Sequence, residues 1–386
     1  MSRRSNRILT THVGSLPRPV DLLDRMKAKI TGQPVDDVAY DASIARAVDD
    51  IVKAQRDNGL DIVADGEMSK PGFFTYVQER LDGFEARQGA GPKPFAAEVE
   101  AFPEYYEDYF RRAMFGGTLA PVATMVCVGP VSYRGQAALA RDLSNLKAAL
   151  GAASPPASAF VPAVAPSGVG INTYYANDEE YLHAVGAAMR VEYKAIVDAG
   201  FQVQIDDPFM ADVFSDPGLD DREKTRRADL HVEVINEALR GIPPEQVRFH
   251  TCYGINEGPR VHDASLGELI GHMLRVNASM YSFEAVNCRH EPEYHLWESV
   301  KLPDGKTIMP GVITRASNIV EHPELIAERL LRFANLVGRG NLIASADCGF
   351  SSQACYKTEV HPTVMWTKFR AMAEGAAIAS EKLWRV

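Results

Sequence analysis

The 386-residue chain is poor in cysteine: five residues, Cys127, Cys252, Cys288, Cys348 and Cys355, an odd number widely scattered. That excludes the dense disulfide framework of a small secreted domain, and reduced thiols are expected. The chain has no apolar run of the roughly 18 residues that a membrane span needs. Its first fifteen residues, MSRRSNRILTTHVGS, are basic but lack the apolar segment of an export signal. A cytoplasmic protein with no membrane partner is the expectation. A surplus of positive charge is also missing, since 41 Lys and Arg stand against 51 Asp and Glu for a net charge of -10. Nucleic acid is therefore not the expected partner. There is no internal repeat and no low-complexity tail. What remains is a globular chain, 46% hydrophobic and 24% charged, whose composition suits an enzyme acting on small molecules.

Short apolar runs alternate with longer amphipathic stretches. The candidate strands are ILTTHVGS (8–15), DIVADGE (61–67), APVATMVCVGP (120–130), VQIDDP (203–208), VRFHTCYG (247–254), MYSFEAVN (280–287), TIMPGVI (307–313) and LIASADCGF (342–350). Helical periodicity is clearest over 44–59, 178–200, 325–340 and 364–383, and three of these stretches close on Gly. Eight strands in βα alternation predict an α/β fold of the (β/α)8 (TIM) barrel type, with a doubly wound sheet as the alternative. The barrel is favoured because nearly every strand ends in polar residues, and barrels carry their chemistry on that face. The whole of 1–386 reads as one catalytic barrel. Two segments interrupt the alternation, an aromatic-rich one at about 84–118 after strand two and a Pro/Ala/Ser-rich one at about 151–172 after strand three. Either could form a lid or the interface of a homo-oligomer.

The stretch RFHTCYG places His250 and Cys252 two positions apart, hence on one face of an extended strand. A lone pair of this kind is more readily a pair of buried residues than a pair of ligands. Glu284 at the end of strand six and Cys348 at the end of strand eight change the balance, because strands five to eight are neighbours around one rim of a barrel. An imidazole, two thiolates and a carboxylate form a ligand set suited to Zn2+. With no C-x2-C pair in the chain, a catalytic zinc is expected rather than a structural one. Two thiolates and a carboxylate make the complex electron-rich, which suits it poorly for activating water and well for holding a substrate thiol as thiolate. Alkyl transfer to a thiol is the reaction class this predicts, with Glu284 as the ligand that gives way.

HTCYG, SFE, ADCGF, HVGSLPRP, ADGE and VQIDDP occur in the order, over about residues 8–380, in which the catalytic barrel of cobalamin-independent methionine synthase carries them, and the chain resembles that superfamily. The resemblance implies methyl transfer from 5-methyltetrahydrofolate, or a simpler donor, to zinc-bound homocysteine. It implies His250, Cys252, Glu284 and Cys348 as zinc ligands. It further implies backbone N–H groups of Gly14 and Ser15 for the substrate carboxylate, and Glu67 and Asp206 for its ammonium. N–H donors suit an anion and paired carboxylates a cation.

Two departures leave alternatives open. The chain has no room for the second barrel of full-length synthases, and PGVITRASN carries Arg315 and Ala316 where the family has a proton-donating His after strand seven. SFEAVNCRHEPEYHLWE resembles a short, single-barrel branch that also includes the zinc-dependent epoxyalkane:coenzyme M transferase. Arg289, His290 and His295 then become candidates, His290 as a proton donor and Arg289 as a substrate contact, with Arg18 and Arg315 as further cations for a sulfonate. A zinc-binding relative without catalysis is the third reading. The paired carboxylates Glu67 and Asp206 favour an amino-acid thiol over a sulfonate.

Overall fold

The computed structural model describes residues 6–89, 95–114, 118–119, 123–151, 159–254 and 257–385. Eight parallel strands form its centre: β1 (Leu9–Thr10), β2 (Val63–Ala64), β3 (Ala159–Val164), β4 (Gln202–Asp206), β5 (Val247–His250), β6 (Met280–Phe283), β7 (Thr307–Ile313) and β8 (Ile343–Ala346). They pair in the order β1-β8-β7-β6-β5-β4-β3-β2. The ring closes where the N–H groups of Asp61 and Ile62, leading into β2, both donate to the carbonyl of Thr10 at 3.1 Å. This is the expected (β/α)8 barrel. β3 to β6 and β8 are buried at every position, as strands covered on both faces must be.

The identity of the third strand differs from the sequence expectation. Residues 124–133 form a strand, but outside the barrel: it pairs antiparallel with Leu81–Arg87 and parallel with Ile171–Asn172 in a separate three-stranded sheet. The barrel takes Ala159–Val164 instead, from within the stretch read as an insertion. The insertion after strand two therefore includes most of this side sheet, and the chain after strand three returns to it through Ile171–Asn172. A buried ion-pair cluster ties the side sheet down. Arg80 bridges Asp142 at 2.5 Å and Glu192 at 3.1 Å, and the hydroxyls of Tyr76 and Tyr133 each donate to Glu192 at 2.7 Å.

Three features of the barrel position the site. Register sets His250 of β5 level with Asp206 of β4 on one side and Ser282 of β6 on the other, so their side chains share one rim. Just beneath that rim the barrel interior carries buried polar side chains, over an apolar layer of Ile62, Phe160, Met280, Met309 and Ile343. Arg248 is fully buried, stacks over Phe160 at 3.6 Å and donates to Thr11 Oγ1 at 3.1 Å and to the carbonyl of His12 at 2.9 Å. Above the rim lie two short helices of the aromatic segment, Ala96–Ala101 and Pro103–Tyr109. Tyr105 donates to the carbonyl of Glu257 at 2.6 Å and Tyr109 bonds Glu359, so this segment reaches the loops that follow β5 and β8. The portions of the two expected insertions at 90–94, 115–117 and 152–158 lie outside the described residues. Among the described residues, no helix is long and apolar enough to cross a membrane.

Candidate active site

The C-terminal ends of the strands open into a cavity of about 1320 Å³. At its floor His250, Cys252 and Cys348 each place one ligand atom within 4.8 Å of the others. Cys252 and Cys348 meet Sγ to Sγ at 3.5 Å. That is too far for a disulfide bond. It is close to the roughly 3.8 Å that two thiolates span on a tetrahedral zinc with Zn–S bonds of about 2.3 Å. Ser282 Oγ lies 3.1 Å from His250 Nδ1 and fixes the ring, while Nε2 is buried without a hydrogen-bond partner. A buried imidazole nitrogen with no protein partner, beside two thiols, is a donor set that a metal ion would satisfy. The residues present fit zinc. The hydrogen bond from Cys252, aided by His250 and Arg315, holds the Cys348 thiol well below the usual range, and the same shared bond and burial raise Cys252.

Glu284 does not join this group. Its carboxylate is gripped end-on by Arg260, Nη1 to Oε1 at 2.8 Å and Nη2 to Oε2 at 3.0 Å, and Asn287 also bonds Oε1. Arg260 gave no signal in the sequence, because its pairing depends on the path of the loop after β5.

The residues expected to bind substrate divide into two sets. Glu67 and Asp206 both line the cavity with His250 and the two cysteines. Glu67 adopts φ 59°, a left-handed conformation that is costly for a residue with a Cβ and typical of functional positions. It is 1% exposed, its Oε2 has no hydrogen-bond partner and Arg18 is 4.0 Å away, and burial raises its carboxyl above the usual range. Asp206 accepts from Gln204 Nε2 at 2.8 Å, and burial pushes its carboxyl up to about 7. Ser15 lines the cavity, where Gly349 lies against its side chain with no room for a Cβ. Gly14 adopts φ 142°, and its N–H donates to His12 Nδ1 at 3.2 Å.

Arg289 and His290 lie elsewhere. Arg289 is exposed and outside the cavity lining. His290 is buried behind the wall, stacked on Tyr253 with ring centroids 4.0 Å apart, and bonded to Glu293 at 2.8 Å and Asp263 at 3.1 Å. Against the effect of burial, those two carboxylates push its imidazole up to about 9. His295 pairs with Glu298 on the surface. Arg18 is buried against the carbonyls of Ser351 and Lys70. Of the expected cations, Arg315 lines the cavity, in an ion pair with Glu359 at 3.0 Å, and Ala316 packs on the two cysteines. His262, which sequence reading passed over, is the second imidazole among the described lining residues.

Comparison with known proteins places this geometry in context. A family model described as the catalytic domain of cobalamin-independent synthase matches residues 8–113 and 173–369. The uncharacterized protein YxjH of Bacillus subtilis is 25% identical over 361 residues, 88% of this chain and 86% of its own length. A methionine synthase of Saccharolobus islandicus is 23% identical over 390 residues, covering 97% of this chain and 96% of that one. The solved structure of a B12-independent methionine synthase from Shewanella, in complex with selenomethionine, covers 98% of this chain and 99% of its own, with a TM-score of 0.73 at 20% identity. That last likeness bears on the fold.

Proposed function

Because the chain belongs to the family of cobalamin-independent synthase catalytic domains, we propose that it is a single-barrel, zinc-dependent methyltransferase that converts homocysteine to methionine. The observation that carries this reading is the meeting of His250, Cys252 and Cys348 at the floor of a cavity whose wall also holds Glu67 and Asp206. Bound there, zinc would supply Lewis acidity enough to keep a substrate thiol deprotonated near neutral pH, while its thiolate ligands preserve the nucleophilicity of that sulfur.

The chain's own residues do the rest. His250, Cys252 and Cys348 would hold the ion, and Glu284 or the substrate sulfur would complete its ligand set. Glu67 and Asp206 take the ammonium of the amino acid, and Ser15 lies where its carboxylate end would be held. With the sulfur fixed and the donor enclosed in the cavity, a sulfur–methyl bond forms as the donor's nitrogen–methyl bond breaks, and the proton given up by the substrate thiol balances the one that the departing nitrogen takes up. Positioning of this kind is the main contribution a site can make to a displacement reaction.

Glu67 and Asp206 support homocysteine over a sulfonate-bearing thiol, since a sulfonate would meet carboxylates where it needs cations. Among the described lining residues the cations suited to an anion are Arg315, already paired, and Lys357. The relative named methionine synthase supports the same choice. The test is direct. The protein is incubated with homocysteine and methyltetrahydrofolate, and separately with coenzyme M and epoxypropane, and the products are separated. Methionine is expected, along with about one zinc per chain that is lost in Cys252→Ser and Cys348→Ser. Hydroxypropyl thioether without methionine, or full activity in metal-free protein, would overturn the proposal.

A further inference from the structure

Arg260 is buried at 4% exposure and makes more directed contacts than any role in packing requires. Its guanidinium covers both oxygens of Glu284 at 2.8 and 3.0 Å. Its Nε also donates to Asp263 Oδ2 at 2.8 Å. Its backbone adopts φ 60°, and its N–H donates to Glu98 Oε2 at 3.2 Å, while the neighbouring N–H of His262 donates to Oε1 of the same carboxylate at 2.6 Å. A non-glycine residue held in the left-handed region by a buried carboxylate is over-determined by its surroundings, and such strain concentrates where position matters.

We infer that Arg260 is a positioning residue that competes with the metal for Glu284, holding that carboxylate off the His250–Cys252–Cys348 group so that a substrate thiol can complete the ligand set. The inference rests on the zinc reading above. A planar fork meets both oxygens of Glu284 and Asn287 fills the second lone pair of Oε1, so the carboxylate is held outside the group of His250, Cys252 and Cys348 by charge-assisted bonds that a move onto the metal would have to stretch or break. Each ligand exchange at the metal is then matched by an exchange at Arg260, and the displaced carboxylate is never left buried without a partner, which would be costly. Glu98 extends the device. It belongs to the helix Ala96–Ala101 above the cavity mouth and accepts from the backbone N–H groups of Arg260 and His262, fixing the backbone that carries the guanidinium.

The sign of the effect separates this role from ordinary support. Removing a residue that merely orients a metal ligand weakens metal binding, typically about 10- to 100-fold. Removing a competitor strengthens it. In Arg260→Met, zinc affinity measured by chelator competition is expected to rise about 10-fold or more, and homocysteine KM to rise by a similar factor with kcat changed less. X-ray absorption of the substrate-loaded variant should retain an oxygen ligand that the parent loses. Both shifts should vanish in an Arg260→Met, Glu284→Ala double variant. Arg260→Lys, which keeps the charge but not the fork, and Glu98→Gln, which keeps the helix, should shift in the same direction by less and guard against a folding failure in Arg260→Met. Weakened zinc binding in these variants, or unchanged zinc affinity and KM in a zinc-loaded protein, would overturn the inference alone. A parent protein that binds no zinc would instead remove the functional reading on which it stands.

Discussion

Replacing Glu67 by Gln isolates one charge at a position where shape is conserved. The side chain is 1% exposed, its Oε2 has no hydrogen-bond partner, and the cations beside it are Lys70 and Arg18, the latter 4.0 Å away. Burial dominates and raises the carboxyl above its usual range, so in the free protein the ionised form is held at a cost. The sign follows from the two protonation states. Well below the ordinary carboxylate range, Glu67 is neutral folded and unfolded, and the variant should match the parent in stability. As pH rises from the ordinary carboxylate range toward the raised folded value, the unfolded chain gives up this proton before the folded one does, so the parent loses stability that the variant keeps, and Glu67→Gln should melt at about the same temperature as the parent near pH 4 and above it near pH 8. Binding should move the opposite way. A hydrogen bond between charged groups in a desolvated site contributes about 1.5–3 kcal/mol, so the homocysteine KM should rise roughly 10- to 150-fold. The control is a thiol of similar length without an amino group, whose KM should be unchanged. Steady-state kinetics at pH 8 with both thiols, beside thermal melts at both pH values, provides the assay. An unchanged homocysteine KM would refute the assignment of the ammonium to Glu67, and equal losses for the two thiols would mean that the residue shapes the site without reading the amine.

Asp206→Asn gives a pH-dependent version of the same test. Its carboxyl is pushed up to about 7, so the parent is mostly protonated, and resembles the Asn variant, below that pH. The ratio of variant to parent KM should therefore stay near one at pH 6 and grow through pH 8; a ratio independent of pH would mean Asp206 does not hold the cation. Gly14→Ala would push a Cβ into Pro162, 2.5 Å from its Cγ, at a φ of 142°. A loss of about 1–3 kcal/mol in denaturant unfolding is expected, and a neutral result would show that the segment following β1 can move away from Pro162 of β3. Arg80→Met leaves Glu192 and Asp142 buried without their shared cation, and a loss of about 3–5 kcal/mol is expected from the same measurement.

The alternation of apolar strands and amphipathic helices, and the polar residues closing each strand, were enough to predict the barrel. That works because strand and helix periods are local properties of the chain, and because a parallel sheet forces every strand end with the same polarity onto one face. The spacing of His250 and Cys252 belongs to the same local kind, since two residues apart in a strand share a face whatever surrounds them. Local pattern also holds the explanation for the third strand. Residues 124–133 are buried in their first half and alternate thereafter, as in a sheet with one wet face, whereas 159–164 are buried throughout. Pro162 within Ala159–Val164 masked a barrel strand, because proline usually argues against a place inside a sheet.

The barrel expectation already brought His250, Cys252 and Cys348 to one rim; what the linear order could not decide is how closely they meet and which loop residues surround them. Cys348 comes to 3.5 Å from Cys252 across 96 residues only because the ring of strands closes, and the aromatic helices reach the loops after β5 and β8 only because the chain folds back over the mouth. His290 reads from sequence as a site residue yet faces Glu293 and Asp263 behind the wall, while Arg260, silent in the sequence, holds Glu284. The side chain of a strand residue points where the pleat sends it, so its neighbours follow from register. The side chain of a loop residue points where the loop's own bonds send it, and those bonds exist only once distant parts of the chain have come together.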